Sequence, residues 1–181
     1  MLEAPVAQIV VRQMRPSDSL EELTSLLHRA YADQVARGLK PLAGRQTVDI
    51  TRARTSTGEN YIATMGERGP IVGTILLQEK EAVEIPAWFR RPEVAHFSLF
   101  GVDPEYQGHG IGCLLLDAVE KRAAEIGKHE IALSMADPDD KLRAFYAHRG
   151  YRYIEPWQWP YTNYLSAILS KALAAASAPH A

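Results

Sequence analysis

The run Val102-Asp103-Pro104-Glu105-Tyr106-Gln107-Gly108-His109-Gly110-Ile111-Gly112-Cys113-Leu114-Leu115 joins the end of one strand to the start of a helix. Upstream, Val94 to Val102 alternates as a strand does, and Asp103-Pro104 ends it. Downstream, Ile111, Leu114, Leu115, Ala118, Val119 and Ile126 recur at helical spacing and stop at Gly127. Gly108, Gly110 and Gly112 therefore fall where backbone N–H groups have no intrahelical partner and the helix dipole is positive. No Ser, Thr, Asn or Asp lies from Glu105 to Gly112 to cap those groups, which leaves the helix end open to an outside anion. Glycine permits the unusual dihedrals and the close approach that such a contact needs, although a glycine pair also serves tight helix–strand packing. Two rival phosphate motifs fail. Cys113 stands where the dinucleotide pattern wants its third glycine, and no Walker-type Gly-Lys-Ser/Thr follows. Glu130 is spaced like a ribose-binding acid but sits at the start of its strand rather than the end.

Working outward, Ile9-Val10-Val11 forms a short strand, and Arg15-Pro16-Ser17-Asp18, with Glu21 three residues beyond, announces a helix. Leu20, Leu23, Leu27, Ala30 and Tyr31 share one face of it. The stretch from Ala36 to Gly58 is polar and broken, with a second short helix between Thr47 and Ser56. Tyr61 to Met65 and Ile71 to Leu77, separated by Arg68-Gly69-Pro70, read as a hairpin. Glu81 to Glu93, broken by Pro86 and Pro92, reads as a loop with exposed aromatic bulk at Trp88-Phe89. Ile131 to Met135 is a strand, Pro138 to Arg149 a helix stopped by Gly150, and Tyr151 to Ile154 and Tyr164 to Lys171 close the set before an alanine-rich tail.

Strands mixed with helices, including a strand–helix–strand unit and a hairpin, indicate the α/β class: a mixed sheet flanked by helices. At 181 residues, 46% of them hydrophobic, the chain has room for a single core, which predicts one domain over residues 1–173 and a disordered tail over 174–181. A formal net charge of -2 disfavours a nucleic-acid partner. Cys113 is the single cysteine, so neither an internal disulfide nor a cysteine metal cluster can form, and no metal is expected. The N-terminus lacks the basic-then-apolar layout of a secretory signal, and no window reaches the ~18 apolar residues of a membrane span. A cytoplasmic protein without membrane partners is the expectation.

The stretch from Val102 to Leu115 closely resembles the coenzyme-A loop of the GCN5-related N-acetyltransferase (GNAT) family, whose core is Gln/Arg-x-x-Gly-x-Gly/Ala. Arg143-Ala144-Phe145-Tyr146-Ala147-His148-Arg149-Gly150-Tyr151 is similar to that family's helix and turn after the fifth strand. The resemblance implies a mostly antiparallel sheet with acetyl-coenzyme A bound where strands 4 and 5 splay. It further implies that the amides of Gln107, Gly108, His109, Gly110, Ile111 and Gly112 hold the pyrophosphate. Backbone groups of Phe100 and Val102 would pair with the pantetheine arm like an added strand. Where many family members carry Asn, this chain has Asp139, which can accept but not donate. Arg143, with Lys141, is a candidate for the 3'-phosphate.

Amide formation needs a neutral amine, a polarised thioester and a proton for the departing thiolate. His96 stands where some family members place a catalytic glutamate, and imidazole titrates near ~6.5; a histidine satisfied within the core is the alternative. Glu81, Glu84 and Glu93 are rival bases, and Ser98, on the same strand face as His96, is placed to hold a relaying water. Tyr146 belongs by spacing to the apolar set Leu142, Phe145, Tyr146, whereas its family position protonates the thiolate. Gly101 suggests a bulge, with a backbone N–H around Leu99 to Gly101 meeting the oxyanion. Tyr31, Trp88 and Trp157 are candidate acceptor contacts within a set that includes Phe89, Trp159, Tyr161 and Tyr164. The reading is an acetyl-coenzyme-A-dependent N-acetyltransferase acting on a small-molecule amine, with a homodimer allowed. A peptide or protein N-acetyltransferase and a non-catalytic acyl-coenzyme-A sensor are the competitors.

Overall fold

A computed structural model describes residues 8–78 and 84–175. In chain order the elements are β1 (Ile9–Gln13), α1 (Leu20–Ala30), α2 (Ala32–Ala36), α3 (Val48–Thr55), β2 (Gly58–Met65), β3 (Ile71–Gln78), β4 (Val94–Val102), α4 (Ile111–Glu125), β5 (Glu130–Ala136), α5 (Asp140–His148), β6 (Arg152–Trp157) and β7 (Ser166–Ala172). Short 3-10 turns cover Leu42–Gly44, Trp88–Arg90 and Pro104–Tyr106.

The strands form one sheet in the order β1-β2-β3-β4-β5-β7-β6. Neighbours run antiparallel except β4 and β5, which α4 connects as a parallel crossover. Apolar residues on the two sheet faces feed separate helical layers. On one face Ile111, Leu115, Leu116 and Val119 of α4 and Tyr146 of α5 pack on Ala63, Val72, Phe97, Leu133 and Leu169. On the other, Leu23, Leu26 and Leu27 of α1 cover Ile62, Leu76 and Leu99. A third cluster beside α1 gathers Phe89, Val94, Ala132, Trp159 and Ile168.

Local chemistry differs from expectation at three places. Helix α1 is capped by Ser19, whose hydroxyl accepts the Glu22 N–H at 3.1 Å. Asp18 is drawn away instead by a two-bond pairing with the Arg12 guanidinium (2.7 and 2.8 Å) and by the Arg15 N–H. That pairing and those hydrogen bonds, working against burial, hold the Asp18 carboxyl below its usual range. The aromatic bulk of the loop before β4 is not exposed: Phe89 is buried and stacks on His96 at 4.4 Å with only 9° between the planes. The bulge in β4 lies at Leu99 rather than Gly101. Ser98 pairs with Leu76 and Gly101 with Thr74, so Leu99 and Phe100 together face Ile75, and Leu99 takes φ 50°. A left-handed leucine costs about 1–2 kcal/mol, and such strain concentrates at functional sites. Gly101 answers a different need, since a Cβ there would stand 2.8 Å from the Ala30 Cβ of α1.

Candidate active site

Parallel pairing of β4 with β5 covers only Val94 to Phe97 against Glu130 to Leu133. Beyond it, Gly101 and Val102 stay on β3, while Ser134, Met135 and Ala136 stay on β7. The strands part between these anchors, and a cavity of about 1420 Å³ runs through the gap. Phe100, Gly101, Val102, the start of α4 and Tyr146 line it toward one face; Ser98, His96, Phe89, Trp159 and Tyr164 line it toward the other.

The anion end is built as the glycines require. Gly108 and Gly110 take φ 81° and 79°, and Gly110 is the N-cap of α4 with no side-chain cap and no acidic residue in the first turn. Helix α4 thus meets the cavity with an uncapped, positively polarised end. The Gln107 side-chain amide donates to the Val102 carbonyl at 3.2 Å, tying the loop back to β4. His109 turns away: its Nδ1 donates to the Tyr106 and Gln107 carbonyls at 3.1 Å, and its side chain is not part of the cavity wall. Gly112 lies close under Phe100, where an added Cβ would stand 3.3 Å from the ring.

Tyr146 lines the cavity from α5. Its ring meets Phe145 at 5.3 Å and Tyr151 at 5.4 Å, both edge-on, and lies 6.4 Å from Phe97 and from Phe100. Burial pushes its phenol well above the ordinary value, with smaller contributions from Tyr31 and Asp139, so it stays protonated at neutral pH. Tyr31 reaches the same region from the end of α1, where its hydroxyl donates to the Phe100 carbonyl at 2.9 Å.

Asp139 caps α5, accepting the Leu142 N–H at 3.1 Å, and its other oxygen receives Arg37 at 3.0 Å and Gln34 at 3.4 Å from the α2 region. It therefore lines the cavity as part of a bridge between α2 and α5. Arg143 lies outside the cavity, paired with the Asp137 side chain and carbonyl, whereas Lys141 lies on the wall.

His96 is buried at mid-sheet between Gln78 and Ala132, and Ser98 donates to the Gln78 side-chain oxygen at 2.8 Å. Both line the cavity. Of the rival carboxylates, Glu84 is exposed and off the wall, Glu93 precedes β4 at its far end beside Arg91, and Glu81 lies outside the described residues.

Trp88 and Trp157 are not in the cavity. They pack against the third cluster, Trp88 under the Arg91 guanidinium at 4.1 Å, and their indole nitrogens are buried without partners. Of the aromatic residues of that region, Phe89, Trp159, Tyr161 and Tyr164 reach the wall, joined there by Ser134 and Ile50. Trp159 is aimed by the bond from its indole N–H to the Ser134 hydroxyl at 2.8 Å. Two loops meet over this side: Asn163 accepts the Lys40 N–H at 2.8 Å and donates to the Gly38 carbonyl at 2.9 Å, and Arg45 donates to the Tyr161 carbonyl at 2.6 Å. Among the described residues no group of three or more His, Cys, Asp or Glu side chains is placed to share a metal ion. No described helix is long and apolar enough to cross a membrane.

A mixed sheet split at its parallel pair, beside an uncapped glycine-rich helix start, offers an anion-binding end to a long cavity. The profile of the Acetyltransferase (GNAT) family matches residues 20–151, and the chain belongs to that family, whose enzymes take acetyl-coenzyme A as donor. No curated protein matches it by sequence. Solved structures share the fold. The ribosomal-protein-S18-alanine N-acetyltransferase of Escherichia coli superposes with a TM-score of 0.69 at 14% identity, covering 96% of this chain and 99% of that one. A putative acetyltransferase of Salmonella typhimurium, solved with acetyl-CoA, gives 0.66 at 17%, covering 96% and 99%. A GNAT family acetyltransferase of Elizabethkingia anophelis with acetyl-CoA bound gives 0.63 at 16%, covering 91% and 98%.

Proposed function

We propose that this acetyltransferase moves an acetyl group from acetyl-coenzyme A to the amine of a small molecule by direct attack on the thioester. The observation that carries the small-molecule reading is the stitching of the loops around Gly38–Arg45 and Trp159–Asn163 over the acceptor side. Those loops wall one side of the cavity, where an extended peptide would want an open groove.

In this reading the amides from Gln107 to Gly112 receive the pyrophosphate, with Lys141 as the nearby cation on the wall. Phe100 and Val102 offer backbone groups to the pantetheine arm. Tyr31 fixes the Phe100 peptide through its hydroxyl, leaving that carbonyl a second lone pair for the arm. Asp139, committed to its cap and to Arg37, acts by holding α5 rather than by bonding the arm.

The amine surrenders its proton to His96, directly or through a water held near Ser98. The nitrogen then forms its bond to the carbonyl carbon as the oxygen gains charge, and a backbone N–H near the Leu99 bulge meets that oxygen. The carbon–sulfur bond breaks with the Tyr146 hydroxyl hydrogen-bonded to sulfur, and the second proton of the nitrogen passes to the departing thiolate. The products are the amide, coenzyme A and one proton.

The test is thiol release from acetyl-coenzyme A across a panel of small amines and peptides, with cofactor binding followed by calorimetry. Release with small amines supports the reading, and faster release with peptides moves the acceptor class to proteins. Tight binding with no release for any acceptor refutes it in favour of a sensor.

A further inference from the structure

Resting on the acetyltransferase reading, we infer that the acceptor's amine is carried on a flat aromatic body. Two stacked pairs of rings line the chamber. Trp159 and Tyr161 lie 5.7 Å apart with 15° between their planes. Phe89 and His96 lie 4.4 Å apart at 9°.

Their orientation is fixed from outside. The Trp159 indole is held by Ser134, the first residue of β5 past its pairing with β4, so this ring stands where the strands part and an attacking amine must pass. Phe89 is buried in the same third cluster as Trp159, which holds both pairs in place. Rigid ring faces reward a flat, apolar ligand body, which stacks without ordering further side chains. Ile50 of α3, 37% exposed, lines the same chamber and adds an apolar edge.

The charges on the wall oppose a polycationic acceptor. Among the described lining residues the carboxylates are Asp33 and Asp139, and both are engaged by Arg37, at 3.2 and 3.0 Å. Arg54 lies on the same wall, and its charge acts on the Tyr31 and Tyr164 phenols. A single ammonium on an aromatic body fits this lining, since ring faces also attract the cation before it is deprotonated. A molecule with several ammonium groups would bring its further charges up to guanidinium groups, with both lining carboxylates already paired.

The experiment is steady-state thiol release with acetyl-coenzyme A and four acceptors: phenethylamine, cyclohexylethylamine, spermidine and a short lysine peptide. Phenethylamine is expected to exceed spermidine and the peptide in kcat/KM by at least about tenfold, the discrimination a shaped apolar pocket can supply. It should also exceed its cyclohexyl analogue, which matches it in charge and length but is not flat. Ile50→Asp, on the exposed side of α3, should raise KM for phenethylamine while kcat and acetyl-coenzyme A affinity hold, and Tyr161→Leu should erase the preference over cyclohexylethylamine. Melting curves of both variants separate this from misfolding. Release with equal or better kcat/KM for spermidine, the peptide or the cyclohexyl amine overturns the inference and leaves the acetyltransferase reading standing. Absence of release with every acceptor overturns both.

Discussion

Replacing Tyr146 by Phe removes one hydroxyl and nothing else from the wall of the cavity. The ring is held edge-on by Phe145 and Tyr151 and approached by Phe97 and Phe100, contacts that Phe keeps. Burial holds the phenol protonated far above neutrality, so it is in the right state to donate but a poor acid for complete transfer. A thiolate whose acid lies near ~8.5 takes the proton uphill, even from an unperturbed phenol near ~10. The contribution is therefore that of a hydrogen bond to developing negative charge, about 1.5–3 kcal/mol. Removing it should lower kcat by roughly 10- to 150-fold, since ~1.4 kcal/mol is a factor of ten. Acetyl-coenzyme A affinity by calorimetry should change little, and the variant should fold as the parent does, since the ring contacts stay. Because Tyr146 does not ionise in the working range, the pH profile of kcat should fall in height and keep its shape. Unchanged kcat in a folded variant would refute the assignment, and so would a pH limb that disappears with the hydroxyl.

Three further outcomes follow from the same geometry. Gly110→Ala forces alanine into φ 79° with open space around its Cβ, a strain of about 1–2 kcal/mol. Calorimetry should show acetyl-coenzyme A binding roughly 5- to 30-fold weaker, while Gly66→Ala, with equivalent strain in the β2–β3 turn, should leave binding alone; equal effects would sever the loop from the ligand. Gly101→Ala places its Cβ 2.8 Å from Ala30 and should cost about 1–3 kcal/mol in denaturant unfolding by pushing α1 off the sheet; wild-type stability would mean that α1 gives way freely. At alkaline pH, burial raises Tyr31, Tyr146, Tyr151 and Tyr164, and Tyr61 is pushed up to about 12 by burial and by Glu59. The unfolded chain loses these protons first, so their stabilisation is whole below pH ~10 and is lost as pH climbs toward the folded values. Urea midpoints should be flat to about pH 9 and then fall, and the larger part of the phenolate absorbance should appear only with unfolding; complete phenol titration near pH ~10 in the still-folded protein would contradict the burial argument.

How far the sequence could be read depended on whether a residue's role was set by its neighbours in the chain. The uncapped start of α4 was legible because everything that makes it, the glycines and the missing cap, lies within six residues. The cap of α1 was misread by one residue because Arg12, back on β1, claims Asp18. Gly101 drew the bulge to itself on conformational grounds, yet the reason for glycine there is Ala30, about seventy positions away, and the strain fell on Leu99. The tryptophans show the same limit. Trp157 and Trp159 are two residues apart, but only Trp159 finds Ser134 of β5 and turns to the cavity, and nothing local distinguishes them. The acceptor wall as a whole is of this kind, drawing Ile50, Phe89, Ser134 and Tyr164 from four separate segments.

The cavity exists because each strand of the parallel pair is held more firmly by its outer neighbour than by its partner. Past Phe97, β4 bulges at Leu99 and rejoins β3 through Gly101 and Val102; past Leu133, β5 keeps unbroken register with β7 through Ser134, Met135 and Ala136. Two half-strand edges therefore face each other inside the sheet, an arrangement that leaves backbone groups unpaired unless something enters between them. On the β4 edge, Tyr31 and Gln107 already donate to the Phe100 and Val102 carbonyls. A single leucine in a left-handed conformation marks the point past which β4 follows β3 alone. Gly101, two residues on, admits α1 against the sheet, and the start of α4 and the Trp159 ring both reach the cavity that opens beyond.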